Sequence, residues 1–233
     1  MSRQIKGLIY FYSTDIRYSL MVFWTILLSI MTVSLAFSYF LLRFDDGFFA
    51  FGLAIPVYIY CSIIGFLTVK ENIPFSLKLG VVRKNLFLGI GIFFLGLAFF
   101  KAVVVNTLHS IIMAFADVVG LHNFQFIQPA QLVVNNWWNR VIIDTIIIFF
   151  MLTLMYMIGL LFYKYGLLGG GVVLGIFAAV LLLGIAQGWV IDYFIDLYQT
   201  IEMTYFIQMF GVGVIIYIIS YVFIRRITTI KVK

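Results

Sequence analysis

Apolar residues come in six long runs, at positions 20–42, 48–69, 86–105, 141–162, 167–185 and 205–224, parted by short polar interruptions. Each approaches the roughly 20 residues that a helix needs to cross a bilayer, so the pattern predicts six membrane-spanning helices. Ahead of them, within residues 1–19, Ile5, Leu8, Ile9, Tyr12 and Ile16 fall near helical spacing, with Arg3, Lys6 and Arg17 elsewhere. This predicts an amphipathic helix in the membrane interface; a polar cytoplasmic tail is the alternative. The first run carries no charge and is long enough to stay as a span rather than be cleaved as a leader.

The interruptions between runs differ widely in length. Arg43, Asp45, Asp46 and Gly47 predict a tight polar turn. Pro56 lies inside the second run and predicts a kink there. Gly89, Gly91 and Gly96 give the third run a small-residue surface for close helix approach. Residues 106–139 are the longest stretch between runs, with a short surface helix expected over LHSIIMAFADVVG. Trp137 and Trp138, beside Asn135, Asn136 and Asn139, are what a membrane interface selects. Lys164 and Gly166 predict a very short turn between the fourth and fifth runs, and Gly169, Gly170 and Gly171 let the fifth start tightly. Residues 187–204 form a second outer segment, with Trp189, Asp192, Asp196 and Glu202, apolar enough to re-enter the bilayer in part.

The stretch over residues 73–87, IPFSLKLGVVRKNLF, is too short to cross and too apolar on one side to be a free loop. Asn72 suits a helix cap, Pro74 a first turn, and Gly80 a stop. Phe75, Leu77 and Leu79 supply apolar contacts, and Lys78, Arg83 and Lys84 supply charge. Two readings stand: a short cytoplasmic helix, over about 72–84, that plugs into a partner protein, or a connector resting on lipid headgroups.

Composition narrows the class. The chain is 64% hydrophobic and only 10% charged, where a soluble domain of this size carries about 25% charge. It belongs in lipid, as one all-α membrane domain over residues 1–233. The net charge of +6 is no nucleic-acid footprint, because the cations sit at the ends of apolar runs. With the N-terminus inside, twelve of the fifteen Lys and Arg residues fall on the inner side, and only Arg43, Lys101 and Arg140 on the outer. Both termini are therefore expected in the cytoplasm. The lone Cys61 permits no intrachain disulfide.

Candidate chemistry within the chain is sparse. Gly169–Gly171 are not followed by the Lys and Ser or Thr of a phosphate-binding loop, and no cofactor site is expected. His109, Asp117 and His122 match no standard metal spacing and read as polar groups of a surface segment. An intramembrane hydrolase needs a paired nucleophile and base or paired acids; no such pair is evident. Lys101 and Asp144 are the charges inside runs, and such charges mark pathways or paired sites. Snorkelling of Lys101, and a pairing of Asp144 with Arg140, are the structural alternatives. The 26 phenylalanines suit lipid contact and equally an aromatic cleft for an amphipathic substrate.

The order of parts (an interfacial helix over residues 4–19, six runs, and Asn72–Lys84 with its LGVVRKN core between the second and third) resembles the ABC-2 type permeases of bacterial ABC exporters. Within them it is similar to small permeases that export peptides or peptide antibiotics, with the phenol-soluble-modulin exporters as the suggested subgroup. The resemblance implies a dimer of permeases in the bacterial cell membrane, driven by separate ABC ATPase subunits that hold the ATP and magnesium. It implies that the segment containing Asn72, Pro74, Phe75, Leu77, Lys78, Leu79, Gly80, Arg83 and Lys84 docks on that ATPase. The segment after the fifth run is shorter than in the wider family, and the one after the third is longer. A non-transporting immunity or sensor subunit that binds peptide at its outer segments is the competing expectation.

Overall fold

The structure, a computed structural model, describes residues 3–42, 48–225 and 227, with their side chains except at 194 and 197–199. The turn predicted at Arg43, Asp45, Asp46 and Gly47 lies outside the described residues, as do Arg226, Lys231 and Lys233. Helices dominate because an apolar segment in lipid must satisfy its backbone within itself. They are α1 (Arg3–Asp15), α2 (Arg17–Leu41), α3 (Ala54–Leu67), α4 (Ile73–Lys78), α5 (Arg83–Val119), α6 (Trp137–Ala186), α7 (Trp189–Thr200) and α8 (Met203–Arg225). Five helical stretches among the described residues are long and apolar enough to cross a membrane: Arg17–Leu41, Ala54–Lys78, Arg83–Val119, Trp137–Ala186 and Met203–Arg225. This is the architecture of a helical, membrane-embedded protein.

Several boundaries differ from expectation, each for a local reason. The second run opens as a strand, β1 (Phe49–Phe51), paired in parallel with β2 (Phe124–Phe126) in the register Phe49 to Phe124. Pro56 therefore falls in the first turn of α3, where its missing N–H costs nothing, and starts the helix rather than kinking it. The separate surface helix expected after the third run is the continuation of α5, which spans 37 residues. No proline interrupts it. Its end comes at Gly120, left-handed at φ 77°, where Leu121 N–H donates to Ala116 O and Gly120 N–H to Asp117 O, the paired bonds that close a helix.

The segment read as a free amphipathic helix is also packed differently. α1 continues almost directly into α2 through Ile16, and it lies lengthwise along the start of α5. Asn85 donates to Gln4 (2.6 Å), Leu8 covers Gly89, and Tyr12 meets Phe93 with ring centroids 5.4 Å apart. The matching order of these pairs makes α1 and α5 run in the same direction.

Close approaches at glycines set the remaining core. A Cβ at Gly65 would fall 2.4 Å from Leu152 O, and one at Gly159 3.0 Å from Val69, so α3 and α6 touch along parallel courses. Phe149 meets Phe210 at 5.3 Å and Tyr156 meets Tyr217 at 6.1 Å, which sets α8 parallel to them. α5 crosses α6 in the opposite sense, with Phe94 on Tyr156 and Asn106 on Asp144. Of the third run's glycines, Gly89 and Gly91 seat Leu8 and Tyr217, whereas a Cβ at Gly96 would meet nothing within 4 Å among the described residues.

α6 is helical throughout except at Gly166 (φ 71°, ψ −174°). The ring of Phe162 abuts Gly170, where a Cβ would stand 2.6 Å from Phe162 Cγ. Eight residues of unbroken helix span about 12 Å, so the chain folds sharply at Gly166. Beyond it, Leu168, Ile176, Phe177 and Leu182 are all exposed.

Candidate functional site

Two groups of residues rise above the packing: the projection formed by α4 and its flanks, and a buried polar cluster between α3, α5 and α6.

α4 does not begin at a cap. α3 widens into a π turn over Thr68–Asn72 and passes straight into α4. Asn72 is buried and makes no capping bond, which corrects its expected role: a helix that never stops needs no cap. Pro74 occupies the first turn, as its φ preference dictates. α4 stops at Gly80, left-handed at φ 76°, with Val81 N–H donating to Ser76 O and Gly80 N–H to Leu77 O.

α1 braces this projection. Tyr12 and Ser76 share a hydrogen bond of 3.2 Å, and Phe11 stacks on Phe75 at 4.8 Å. Burial, opposed by the bond to Ser76, pushes the Tyr12 hydroxyl up to about 12, so it stays neutral at ordinary pH and the brace does not titrate. Ile73 and Ser76 are buried, and Leu77 packs on the main core. One face of Phe75 is thus taken by α1, although 45% of the residue remains exposed. Leu79 is exposed, as are Lys78 and Lys84. Val82 is exposed as well; sequence reading passed over it, although it lies in an apolar pair between Gly80 and Arg83. Arg83 is engaged elsewhere. Its guanidinium donates to the carbonyls of Arg225 (2.9 Å) and Ile227 (2.7 Å), tying the start of α5 to the end of α8. The free surface is therefore Phe75, Leu79 and Val82, flanked by Lys78 and Lys84.

Lys101 is fully buried, against the expectation of snorkelling. It faces the bundle, and its Nζ lies over the rings of Phe23 (4.4 Å), Trp24 (4.7 Å) and Tyr60 (4.4 Å). The nitrogen has no hydrogen-bond partner among the described residues. The ring faces carry negative potential and partly replace water around the ammonium. The cage joins α2 and α3 to α5, and Tyr60 also donates to Ser19 at 3.1 Å.

Five residues further along α5, Asn106 donates to Asp144 (2.6 Å) and to Ala102 O (2.9 Å). Tyr58 on α3 donates to the other oxygen of Asp144. The carboxylate thus joins three helices. Arg140, suggested as an alternative partner, donates to Ser110 at 3.1 Å, and its charge still acts on the carboxylate. His109 is buried on α5 against Phe126, with ring centroids 4.6 Å apart, rather than in a polar surface segment. His122 is exposed, and the described residues hold no group of three potential metal ligands. The cluster locks α2, α3, α5 and α6 by polar contacts in an apolar medium, where an unpaired group is expensive.

Fold and site define a helical membrane-embedded protein with a braced projection at one end and buried charges in its core. Compared with protein-family models, with curated proteins and with solved structures, the chain matches none.

Proposed function

We propose that this chain is the transmembrane permease subunit of an ATP-driven exporter of the ABC-2 type. On this reading it crosses a bacterial cell membrane six times with both termini in the cytoplasm. Two copies, or one copy and a paralogue, enclose the pathway, and separate ATPase subunits bind ATP and magnesium. The substrate class is an amphipathic or hydrophobic peptide or antibiotic.

Helix direction supports six crossings. α1–α2 and α5 run one way, and α3, the first half of α6 and α8 run the other. The fold-back at Gly166 supplies the reversal needed between the fourth and fifth crossings. The observation that carries the reading is the projection itself. Leu79 (66% exposed) and Val82 (56% exposed) stand between Lys78 and Lys84 on an element held rigid from behind by α1. A partner groove that buries both side chains would gain roughly 1.5–3 kcal/mol from each, and an acidic rim would meet the lysines.

The test is recovery of the tagged chain from native membranes with its bound proteins identified. A P-loop ATPase is expected with the wild type. Leu79→Asp with Val82→Asp is expected to lose it while the chain remains inserted, since losing about 3 kcal/mol weakens binding more than 100-fold. Unchanged recovery of the ATPase with the double variant, or labelling of Lys78 and Lys84 from the outer face, would refute the reading.

A further inference from the structure

A groove of about 390 Å³ runs between the α1–α2 junction and α5. Ile9, Ile16 and Leu20 form one wall, Ile92 and Phe100 the opposite rim, and the buried Phe93 and Leu97 the floor. Its volume lies within the roughly 300–1,000 Å³ of small-molecule sites. Gly96 lines the groove, and a Cβ there would meet nothing within 4 Å among the described residues, so the open space reaches the α5 backbone. Ser13 is the polar side chain of the lining.

Charge distinguishes the two edges of this groove. Lys6 precedes Ser13 by seven residues of the same helix, so by helical spacing it shares the edge that Ser13 occupies; Arg17 opens α2 four residues after Ser13, across a junction at Ile16 whose backbone stays right-handed (φ −79°, ψ −9°). Both are exposed. Asp15, the acidic residue of this segment, falls away from that face by the same spacing. An apolar slot with one basic edge, open at the surface of a membrane-embedded helix pair, complements an amphiphile with one anionic end. Arginine's planar fork suits a phosphate, and basic pockets between membrane helices recognise anionic headgroups.

We propose that this groove holds an acyl chain of an anionic phospholipid, whose phosphate is met by Arg17 and Ser13 while the tail lies between Leu20 and Phe100. Lys6, two turns before Ser13, adds positive potential at the headgroup end. The tail would then fill the seam that α1 and α2 leave open against α5. The site is independent of the exporter reading, because it requires no ATPase and no second copy of the chain.

The full chain in detergent is offered equal amounts of phosphatidylglycerol and phosphatidylcholine with matched acyl chains, and retained lipid is counted by native mass spectrometry. The wild type is expected to retain phosphatidylglycerol over phosphatidylcholine by about tenfold or more. Gly96→Leu, which fills the slot, is expected to lose both lipids, and Gly96→Ala to lose part. Arg17→Gln with Ser13→Ala, at exposed positions, is expected to bring the two lipids to near parity while retention of the tail persists. Equal retention of the two lipids by the wild type, undiminished phosphatidylglycerol on Gly96→Leu, or an unchanged preference in the Arg17 and Ser13 variant would each overturn the proposal.

Discussion

Replacing Lys101 with methionine should leave the protein as stable as before or slightly more so, although it removes a fully buried side chain with three ring contacts. An ammonium at the centre of a membrane helix costs about 2.5–3.5 kcal/mol on insertion scales. A desolvated cation–π contact returns about 2 kcal/mol, and one charge shared among Phe23, Trp24 and Tyr60 does not return three times that. The nitrogen has no hydrogen-bond acceptor among the described residues to make up the difference. Methionine is unbranched, fills the same channel and keeps sulfur–aromatic contacts of about 0.3–1.5 kcal/mol. The expected gain is about 1 kcal/mol, or a rise in Tm of about 2–4 °C for a chain of this size. Trp24→Ala acts oppositely: it opens a cavity and strips one face from the charge. Trp24 is only half-buried, so a loss of about 0.5–3 kcal/mol lowers Tm by roughly 1–12 °C. In the Lys101→Met background the same Trp24 truncation should cost less, because the cation is no longer there to be uncovered. Retention of the monodisperse peak after stepwise heating in detergent measures all three variants. A fall in Tm with Lys101→Met as large as that with Trp24→Ala would refute this account, since it would mean that the charge stabilises the bundle outright.

Asp144→Leu should lower Tm more than Asp144→Asn, because leucine leaves the Tyr58 hydroxyl without its acceptor, at about 1–3 kcal/mol, and leaves the Asn106 amide with its bond to Ala102 O alone; thermal scans rank the pair. Gly65→Ala should prevent recovery of folded protein or cost more than about 1–3 kcal/mol, since its Cβ would strike the Leu152 carbonyl at 2.4 Å, whereas Gly171→Ala, with nothing within 4 Å, should be neutral. Gly166→Ala should cost about 1–3 kcal/mol, because φ 71° with ψ −174° suits glycine alone, and thermal scans beside Gly171→Ala isolate that backbone cost. Arg83→Gln should speed amide exchange at Ile227 by releasing the carbonyls that the guanidinium holds.

The long apolar helices were legible because hydropathy is a local property, and so was the break at Gly166, where Lys164 and a glycine between two apolar runs marked a turn. Gly80 was legible for the same reason: its left-handed φ follows from the end of an apolar stretch. What each run packs against was not. Lys101 lies in a run whose hydropathy reports depth and says nothing of neighbours, so the cage from α2 and α3 could not be seen from α5. Asp144 was visible as a charge, but its partners come from positions 58 and 106: Tyr58 looks like an ordinary member of an apolar run, and Asn106 reads as the polar end of one. The surface helix after the third run was read as separate because Asn106, His109 and Ser110 break the hydropathy. In the fold, Asn106 and His109 face the interior, and Asn106 and Ser110 bond back to carbonyls four residues earlier, so polarity there marks a buried face rather than a boundary. Residues 49–51 and 124–126 form strands only because each supplies the other's hydrogen bonds, a long-range condition that no local pattern carries.

The bracing of α4 changes how a push on the projection would travel under the exporter reading. A short connector free of α1 would pass motion to α3 alone, through a continuous backbone. Here Phe11 and Tyr12 hold Phe75 and Ser76, Leu8 rests on Gly89, and Asn85 reaches Gln4, so α1, α4 and the start of α5 form one packed unit. Arg83 extends that unit to the end of α8. Packed cores shift between discrete arrangements rather than bending smoothly. The soft joint available is the π turn at Thr68–Asn72 between α3 and α4, a geometry associated with functional bends in helices. A motor gripping Leu79 and Val82 would therefore move α1, α4 and the base of α5 as a body, with the π turn taking up the strain against α3. Above that joint, α2 meets α3 and α5 at the Lys101 cage, so the rings around a single ammonium become the contact across which that body must slide.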